Sequence, residues 1–352
     1  MALQASGPIS FSQISNEFGL PSGKNLGAYR IAPTTIGNLP MNGLDDDIPT
    51  SGTIRFSNFY SKSLNVVVYC SGNRITARSR YNDNNNVFVI GGYKTRPASS
   101  SGTKVWIHTN ETISSNIPSS SAPNREYCSL ITGGWEGGTD LRLDIGTSGV
   151  VSGAGGDGGR GGNSFYNNCE QGQPGRFGTS AIGVNHQPIT ITNRGRIQGG
   201  TGGGGGGGVG FGHNHRPRGR SVHSLGPGGG GGGGLGSPGG SGGPPGVSGG
   251  QNRSTTSQNE APGTAGNIDQ NGNGGVGRIA SGNGTYVQGG TGGSGGNSGG
   301  AGVGSGSDTR CSSGGGSAGA SGFGIIITND GTGVTISGNA RVGGDAFNTA
   351  VS

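Results

Sequence analysis

The sequence predicts a mostly β and irregular protein in three parts: a small N-terminal helical module, a β domain, and a sandwich of polyglycine type II helices. Three features predict this class: a short motif that occurs twice near the N terminus, runs with β character in the middle, and an excess of glycine after them. We place the three parts at residues 1–62, 63–145 and 146–352.

Composition limits how such a chain can be held together. Of the 352 residues, 87 are Gly and 16 are Pro, a level typical of low-complexity or disordered chains. Charged residues make up only 11%, however, whereas disordered proteins are usually rich in Lys and Glu. Because hydrophobic residues make up only 27%, an apolar core cannot order the whole length. The glycine-rich part therefore needs another source of order.

The N-terminal module contains two copies of one short motif, SGPISFSQI at residues 6–14 and SGTIRFSNF at residues 51–59. In the first copy, Ser10 and Gln13 fit a capping box, and the apolar spacing predicts a helix that ends at about Phe18. The second copy also carries aromatic residues, so we expect the two copies to pack together. A unit of about sixty residues is marginally stable alone, which favours a partner surface.

The β domain is predicted from the runs LNVVVYC, NVFVIGGY, KVWIHT and LRLDIG, which are separated by Asn, Ser, Pro and Gly clusters. We interpret Trp106 and Trp135 as core or sheet residues. The cysteines are widely scattered, which argues against a zinc site and a disulfide framework. A disulfide between Cys70 and Cys128 is an open alternative.

Three later stretches resemble one another: LRLDIGTSGVVSGAGG (141–156), ITITNRGRIQGGTGG (189–203) and GVTISGNARVGG (333–344). Each has alternating apolar residues, a turn with Gly or Asn, one more apolar position and then glycines. This pattern predicts strand, tight turn and strand, repeated.

The glycine runs Gly202–Gly208 and Gly228–Gly234 are both seven residues long. A flexible linker is the default interpretation, but it gives no reason for equal lengths. The sequence lacks the repeats that collagen and a calcium-binding nonapeptide solenoid require. It also lacks the helix that follows the glycine loop of a nucleotide-binding site. The remaining structure is a left-handed extended helix of three residues per turn, whose backbone groups must bond to neighbouring helices. We expect the two runs to lie side by side.

Glycine blocks that alternate with unlike polar segments, introduced by TITNRGRIQGGTGGGGGGG, resemble the receptor-recognising adhesins at the tail-fibre tips of T-even-type bacteriophages. The resemblance covers the chain from about residue 144. It implies a sandwich of polyglycine helices whose connecting loops at one end contact a bacterial surface receptor, either a protein or a glycan. The start MALQASGPISFSQISNEFG is similar to that of many tailed-phage virion proteins. This likeness implies that residues 1–62 attach the protein to other virion tail or fibre proteins.

The leading functional hypothesis is therefore a phage virion adhesin at a tail or tail-fibre tip. The alternative is a structural virion protein, a spacer or decoration without receptor binding. A glycan-degrading tailspike needs two paired carboxylates, and the 17 acidic residues show no recognisable pairing, so we predict no enzyme activity and no catalytic residues. The sequence has neither a secretory signal nor an apolar run long enough for a bilayer. We expect synthesis in the host cytoplasm, no membrane insertion and location in the virion.

The candidate receptor-binding residues follow from the charge distribution. Between Gln171 and Asn259 there are seven arginines and no lysine or acidic residue, so this stretch carries a charge of +7. The net charge of the whole chain is +6, which leaves −1 for all other residues together. Arginine matches phosphate or carboxylate, and aromatic residues and histidines stack on sugars. The main candidates are Phe211, His213, His215, Arg216, Arg218, Arg220 and His223. Further candidates in neighbouring loops are Phe165, Tyr166, Arg176, Phe177 and Arg253.

Alternative roles for this basic stretch are weaker. A charged loop also keeps a glycine-rich solid soluble. Nucleic acid is not an expected partner, because the basic residues form one loop cluster without a recognised binding fold. His213 and His215 are a weak pair of metal ligands without a further ligand in the sequence, so we predict no metal site and no cofactor.

Overall fold

The structure is a computed structural model of the full chain. It describes residues 3–18, 25–29, 34–36, 39–41, 49, 51–62, 66–82, 87–89, 104–115, 127–165, 168–186, 188–215, 221–249, 255–258, 260–282, 285–288, 290–295, 303–305, 313–327, 334–337 and 341–343.

The protein is mostly β and irregular with few helices, as predicted. The N-terminal module contains α1 (Phe11–Phe18), a 3-10 helix (Leu26–Tyr29), the hairpin strands β1 (Thr34–Ile36) and β2 (Leu39–Met41), and a second 3-10 helix (Phe56–Phe59). The predicted first helix is thus confirmed. Its capping box is also present, because Ser10 N–H donates to Gln13 Oε1 at 2.8 Å and Gln13 N–H donates to Ser10 Oγ at 3.2 Å.

The two sequence copies are equivalent in structure. The capping bond of the first copy has a counterpart in the second, where Arg55 N–H donates to Asn58 Oδ1 at 2.7 Å. The fully buried Ile14 and Phe59 take the same place in the two copies and lie in one small core. The shared motif therefore encodes one helical turn with a capped start and a buried apolar residue.

The rest of the chain winds into coils of short strands. The first coil contains β3 (Val66–Tyr69), β4 (Gly72–Asn73) and β5 (Ile75–Thr76), followed by α2 (Ala77–Asn82) and β6 (Val87–Val89). The second contains β7 (Lys104–Thr109), β8 (Thr112–Ser114) and β9 (Leu130–Ile131). The third contains β10 (Asp140–Ile145), β11 (Val150–Ser152) and, after a long excursion with β12 (Ser164–Phe165) and β13 (Asn168–Cys169), β14 (Ile182–Val184).

The fourth and fifth coils follow the same order. The fourth contains β15 (Ile189–Asn193) and β16 (Arg196–Gln198), and it closes with β24 (Ile325–Ile327). Between them lie β17 (Gly210–His215), β18 (Ser221–Gly226), β19 (Ser248–Gly249), β20 (Thr255–Gln258), β21 (Ile279–Gly282), β22 (Thr285–Gln288) and β23 (Val303–Ser305). The fifth contains β25 (Val334–Ser337) and β26 (Arg341–Gly343).

Corresponding strands of successive coils pair in parallel and form a three-sided β-solenoid. Its sheets are β3-β7-β10-β15-β25, β4-β8-β11-β16-β26 and β5-β9-β14-β24, with β6 antiparallel on the free edge of β3. The predicted repeat of strand, turn and strand is confirmed, because the three similar stretches are consecutive coils. The predicted boundary between residues 145 and 146 runs through this solenoid, since β10 pairs with β15.

The solenoid core consists of aliphatic side chains stacked in register. Ile107, Leu143 and Ile191 are aligned on neighbouring strands, and each is fully buried. Trp135 belongs to this core, as predicted, while Trp106 is half-buried on β7. Cys70 and Cys128 are buried and are not disulfide-bonded, so the disulfide that the sequence left open is not formed.

The two long excursions form a slab of extended segments joined by backbone hydrogen bonds. We number the nine described segments along the chain: 153–163, 170–181, 199–209, 227–236, 237–247, 260–267, 270–278, 290–295 and 313–324. Between neighbours, bonded residues recur every third position: the N–H groups of Gly156, Gly159 and Gly162 in segment 1 donate to Thr201, Gly204 and Gly207 in segment 3.

These hydrogen bonds define three layers. Segments 5, 1 and 2 form one outer layer, segments 6, 4, 3 and 9 form the middle layer, and segments 7 and 8 lie in the other outer layer. Segment 4 is bonded to six others, namely segments 1, 3, 5, 6, 7 and 8. The predicted contact between the seven-glycine runs is confirmed, since Gly204 and Gly207 donate to Gly232 and Gly229 at 2.8 Å.

Glycine is required in the slab because neighbouring segments lie too close together for a side chain. None of the described glycines between residues 146 and 327 has a positive φ. A Cβ on Gly205 or Gly231 would instead come within 3.0 Å of a neighbouring carbonyl oxygen, that of Gly316 or Gly204. Both seven-glycine runs are wholly buried, whereas segment 9 carries Ser and Ala at its outward positions. Continuous glycine therefore marks segments that are enclosed on every side.

Candidate functional site

The two ends of the slab differ. Segments 1 and 3 run in the same direction, and each begins directly after a solenoid strand, β11 or β16. Residues 153 and 199 therefore lie at the solenoid end of the slab, and residues 163 and 209 lie at the opposite end, which we call the far end. Segments 2 and 4 are antiparallel to segments 1 and 3. Along each hydrogen-bonded pair, residue numbers increase in one segment as they decrease in the other.

The solenoid end is held by polar contacts. Segment 5 begins at the solenoid with Ser237, whose carbonyl oxygen accepts from Ser115 N–H at 2.9 Å. The turn between segments 6 and 7 binds it through Ile268, whose carbonyl oxygen accepts from Gln198 Nε2 at 2.9 Å. Asp269 in the same turn forms an ion pair with Arg196 at 2.6 Å. This end of the slab is an internal attachment.

The far end carries strand-containing connections. Strands β12 and β13 join segments 1 and 2, β17 and β18 join segments 3 and 4, β19 and β20 join segments 5 and 6, and β21 and β22 join segments 7 and 8. Together with β23, they form small sheets in the orders β13-β12-β19, β17-β18 and β20-β21-β22-β23.

These sheets also contact one another. Strand β17 lies against β22 and β23, and β18 lies against β12, β21 and β22. We call the group β12, β13 and β17–β23 the far-end cluster. Connections that are more than a hundred residues apart in sequence are thus brought to one surface, because every second connection of the antiparallel slab returns to the same end.

Five of the predicted site residues lie in this cluster. Phe165 is in β12, Phe211, His213 and His215 are in β17, and His223 is in β18. His213 and His223 are register partners in the β17–β18 hairpin. The other candidates of these connections, Tyr166, Arg216, Arg218, Arg220 and Arg253, lie outside the described residues.

Arg176 and Phe177 lie elsewhere. They belong to segment 2, an extended segment on the side of the slab, whereas the sequence suggested a loop. Arg176 N–H donates to Asp157 O at 2.8 Å, midway along segment 1. The three-residue period explains the difference: the buried Gly175 and Gly178 pack against segment 3, and the positions between them carry side chains outward.

Part of the basic excess lies in the solenoid. Arg194 Nη2 contacts both carboxylate oxygens of Asp144 at 2.7 and 2.6 Å, beside the solenoid. Arg196 is neutralised by its contact with Asp269. Two of the seven arginines counted from the sequence are therefore engaged in ion pairs of the solenoid and do not belong to the far end.

Further features of the cluster were not predicted. Cys169 in β13 is disulfide-bonded. In the sheet register, Tyr286 of β22 is paired with Ser281 of β21 and with Ser305 of β23, so β22 adds an aromatic residue to the cluster. Counting alternate connections between glycine blocks would have identified this strand. Within the described ranges, no group of three His, Cys, Asp or Glu residues could hold a metal ion.

Comparison with known proteins gives no further assignment: no family model, curated protein or solved structure matches the chain. Among the described residues, no helix has the length and apolar character needed to cross a membrane.

Proposed function

We propose that the protein is a phage virion adhesin at a tail or tail-fibre tip, and that the far-end cluster binds a bacterial surface protein or glycan. The observation that carries the proposal is the asymmetry of the slab. One end is fixed to the solenoid, while the connections at the other end, unlike in sequence, converge on one surface. Variable loops on a rigid scaffold are a common design for recognition sites.

We further propose that the nine segments are polyglycine type II helices and that the slab is a sandwich of them. The support is the three-residue interval of the backbone bonds, the absence of positive φ among the described glycines of these segments, and the six bonded neighbours of segment 4. A left-handed helix with three residues per turn places every third residue on the same face and makes no internal hydrogen bonds. Its backbone N–H and C=O groups therefore bond to neighbouring helices. Such a scaffold is ordered with little apolar surface.

The chemistry of the far-end candidates suits a polar receptor. Histidine and aromatic residues stack on sugars or aromatic groups, and arginine donates a planar fork to carboxylate or phosphate. In this proposal, residues 1–62 attach the protein to other virion proteins through their two helical copies. The protein is made in the host cytoplasm and acts in the virion, without a catalytic role.

A structural virion protein is the alternative, in which the slab only spaces or decorates. Adsorption of virions to host cells after the cells are pre-incubated with the purified protein distinguishes the two. An adhesin occupies the receptors and reduces adsorption with rising protein concentration. A spacer leaves adsorption unchanged at every concentration, and that result would refute receptor binding. The matched control is the protein with Gly205→Val, which we expect to lose the slab.

A further inference from the structure

A groove lies on the side of the slab, along the middle of three segments. It has a volume of about 410 Å³ and runs along segment 1, between segments 5 and 2. This volume is within the range of small-molecule sites. Since segments 5, 1 and 2 form an outer layer, the groove opens on that face of the slab.

The three-residue period builds this groove. Its floor is formed by Gly158, Gly159, Gly242 and Gly243, where a Cβ on each would collide with the layer below or with a neighbouring segment. The positions between these glycines carry polar side chains and two prolines, Pro174 and Pro244, beside the floor. The result is a trough with a side-chain-free backbone at its base and walls that are partly polar and partly apolar.

The charged groups of the walls differ in the ion pairs and hydrogen bonds that they form. Arg160 forms an ion pair with Glu170 at 3.1 Å. Asp157 accepts a hydrogen bond from Ser241 N–H at 2.9 Å. Arg176 is exposed, and it makes no ion pair with any residue that the structure describes. A guanidinium that forms no ion pair with a described residue is thus placed on the wall of the groove.

We propose that this groove is a second binding site, which takes a sugar bearing an anionic group, with the anion held by Arg176. The planar donor fork of arginine matches carboxylate and phosphate oxygens. Gln173 and Ser241, both exposed on the walls, supply hydrogen-bonding groups for sugar hydroxyls. Pro174 and Pro244 add apolar surface beside these polar groups, and such a mixed lining suits a short stretch of glycan, whose sugar rings have both apolar faces and hydroxyl groups. The site is independent of the proposed receptor surface at the far end.

Binding is tested by calorimetry on the full-length protein with three probes: trigalacturonate, a trisaccharide carrying one phosphate, and neutral galactotriose. We expect one of the anionic probes to bind more tightly than the neutral one. Preference for trigalacturonate indicates an acidic polysaccharide as the source, and preference for the phosphorylated probe indicates a phosphorylated surface glycan. If neither anionic probe binds better than galactotriose, the proposal is wrong.

Two variants locate the site. Arg176→Gln removes the charge and should raise the dissociation constant of the anionic probe by about tenfold or more. This is the loss of affinity expected for one charged hydrogen bond. Arg142→Gln makes the same charge change on the solenoid and should have no effect. Equal binding by the parent and Arg176→Gln would overturn the assignment. Because these measurements use purified protein and no cells, their result supports or refutes the groove proposal whether or not the protein is an adhesin.

Discussion

The backbone N–H of Gly204 donates to the carbonyl oxygen of Gly232 at 2.8 Å, which joins the middles of the two seven-glycine runs. The two residues are buried and have no side chains, so the contact between their segments consists of backbone alone. A protein with little apolar material can be ordered in this way, because buried backbone groups find partners in neighbouring segments.

Adding a branched side chain inside the slab should break this contact. Gly205→Val and Gly231→Val should each lower the free energy of unfolding by about 3 kcal/mol or more, the upper range for overpacking, because the obstacle is rigid backbone. Ala320→Val, at an exposed position of segment 9, is the control and should change stability little. Chemical denaturation and protease resistance measure the effect. Unchanged values in both glycine variants would favour the linker interpretation.

The solenoid core should respond as an ordinary apolar core. Leu143 is fully buried and aligned with Ile107 and Ile191 on the neighbouring strands. Leu143→Ala should reduce the free energy of unfolding by about 2–5 kcal/mol through lost burial and a cavity. Thr190→Ala, an exposed position on the adjacent strand, should cost much less. Equal losses in the two variants would contradict the burial of Leu143 in the solenoid core.

Stability should also fall at high pH because of one thiol. Burial raises the pKa of Cys70 from 9.0 to about 12. Between these values the unfolded chain releases the proton and the folded chain retains it, so stability is full below pH 9 and declines as the pH rises. The decline from this group is at most about 1.4 kcal/mol per pH unit. Denaturation of the parent and of Cys70→Ala between pH 8 and about pH 11 should show a shallower slope in the variant, and identical slopes would refute this origin.

The N-terminal module should be needed for assembly into the particle. Its two copies share one small core, formed around Ile14 and Phe59. Deleting residues 1–62 should leave a protein that still binds cells but is missing from purified virions. Quantitative immunoblotting of virions measures the copy number. Truncated protein at the parental copy number would show that attachment lies elsewhere.

Local pattern predicted much of this structure. The capping box at Ser10, the repeated coil motif and the equal glycine runs each follow from a short-range rule, and the structure contains all three. The far-end cluster required knowledge of chain direction, because β17 and β22 meet only through the antiparallel order of the slab. The ion pair of Arg194 with Asp144 joins residues of different coils, so the sequence count of arginines could not separate structural from available charge.

The central claim is that the far-end connections bind the receptor, and the binding of labelled protein to host cells over a range of salt concentration tests it most directly. The variant replaces Arg216, Arg218 and Arg220 by Ser in the connection between β17 and β18. Exposed ionic contacts weaken with salt, since the screening length falls from about 10 Å at 0.1 M to about 3 Å at 1 M. We therefore predict weaker binding by the variant at low salt and a flatter salt dependence, with unchanged folding. Binding equal to that of the parent at every salt concentration would contradict a role for this connection in recognition.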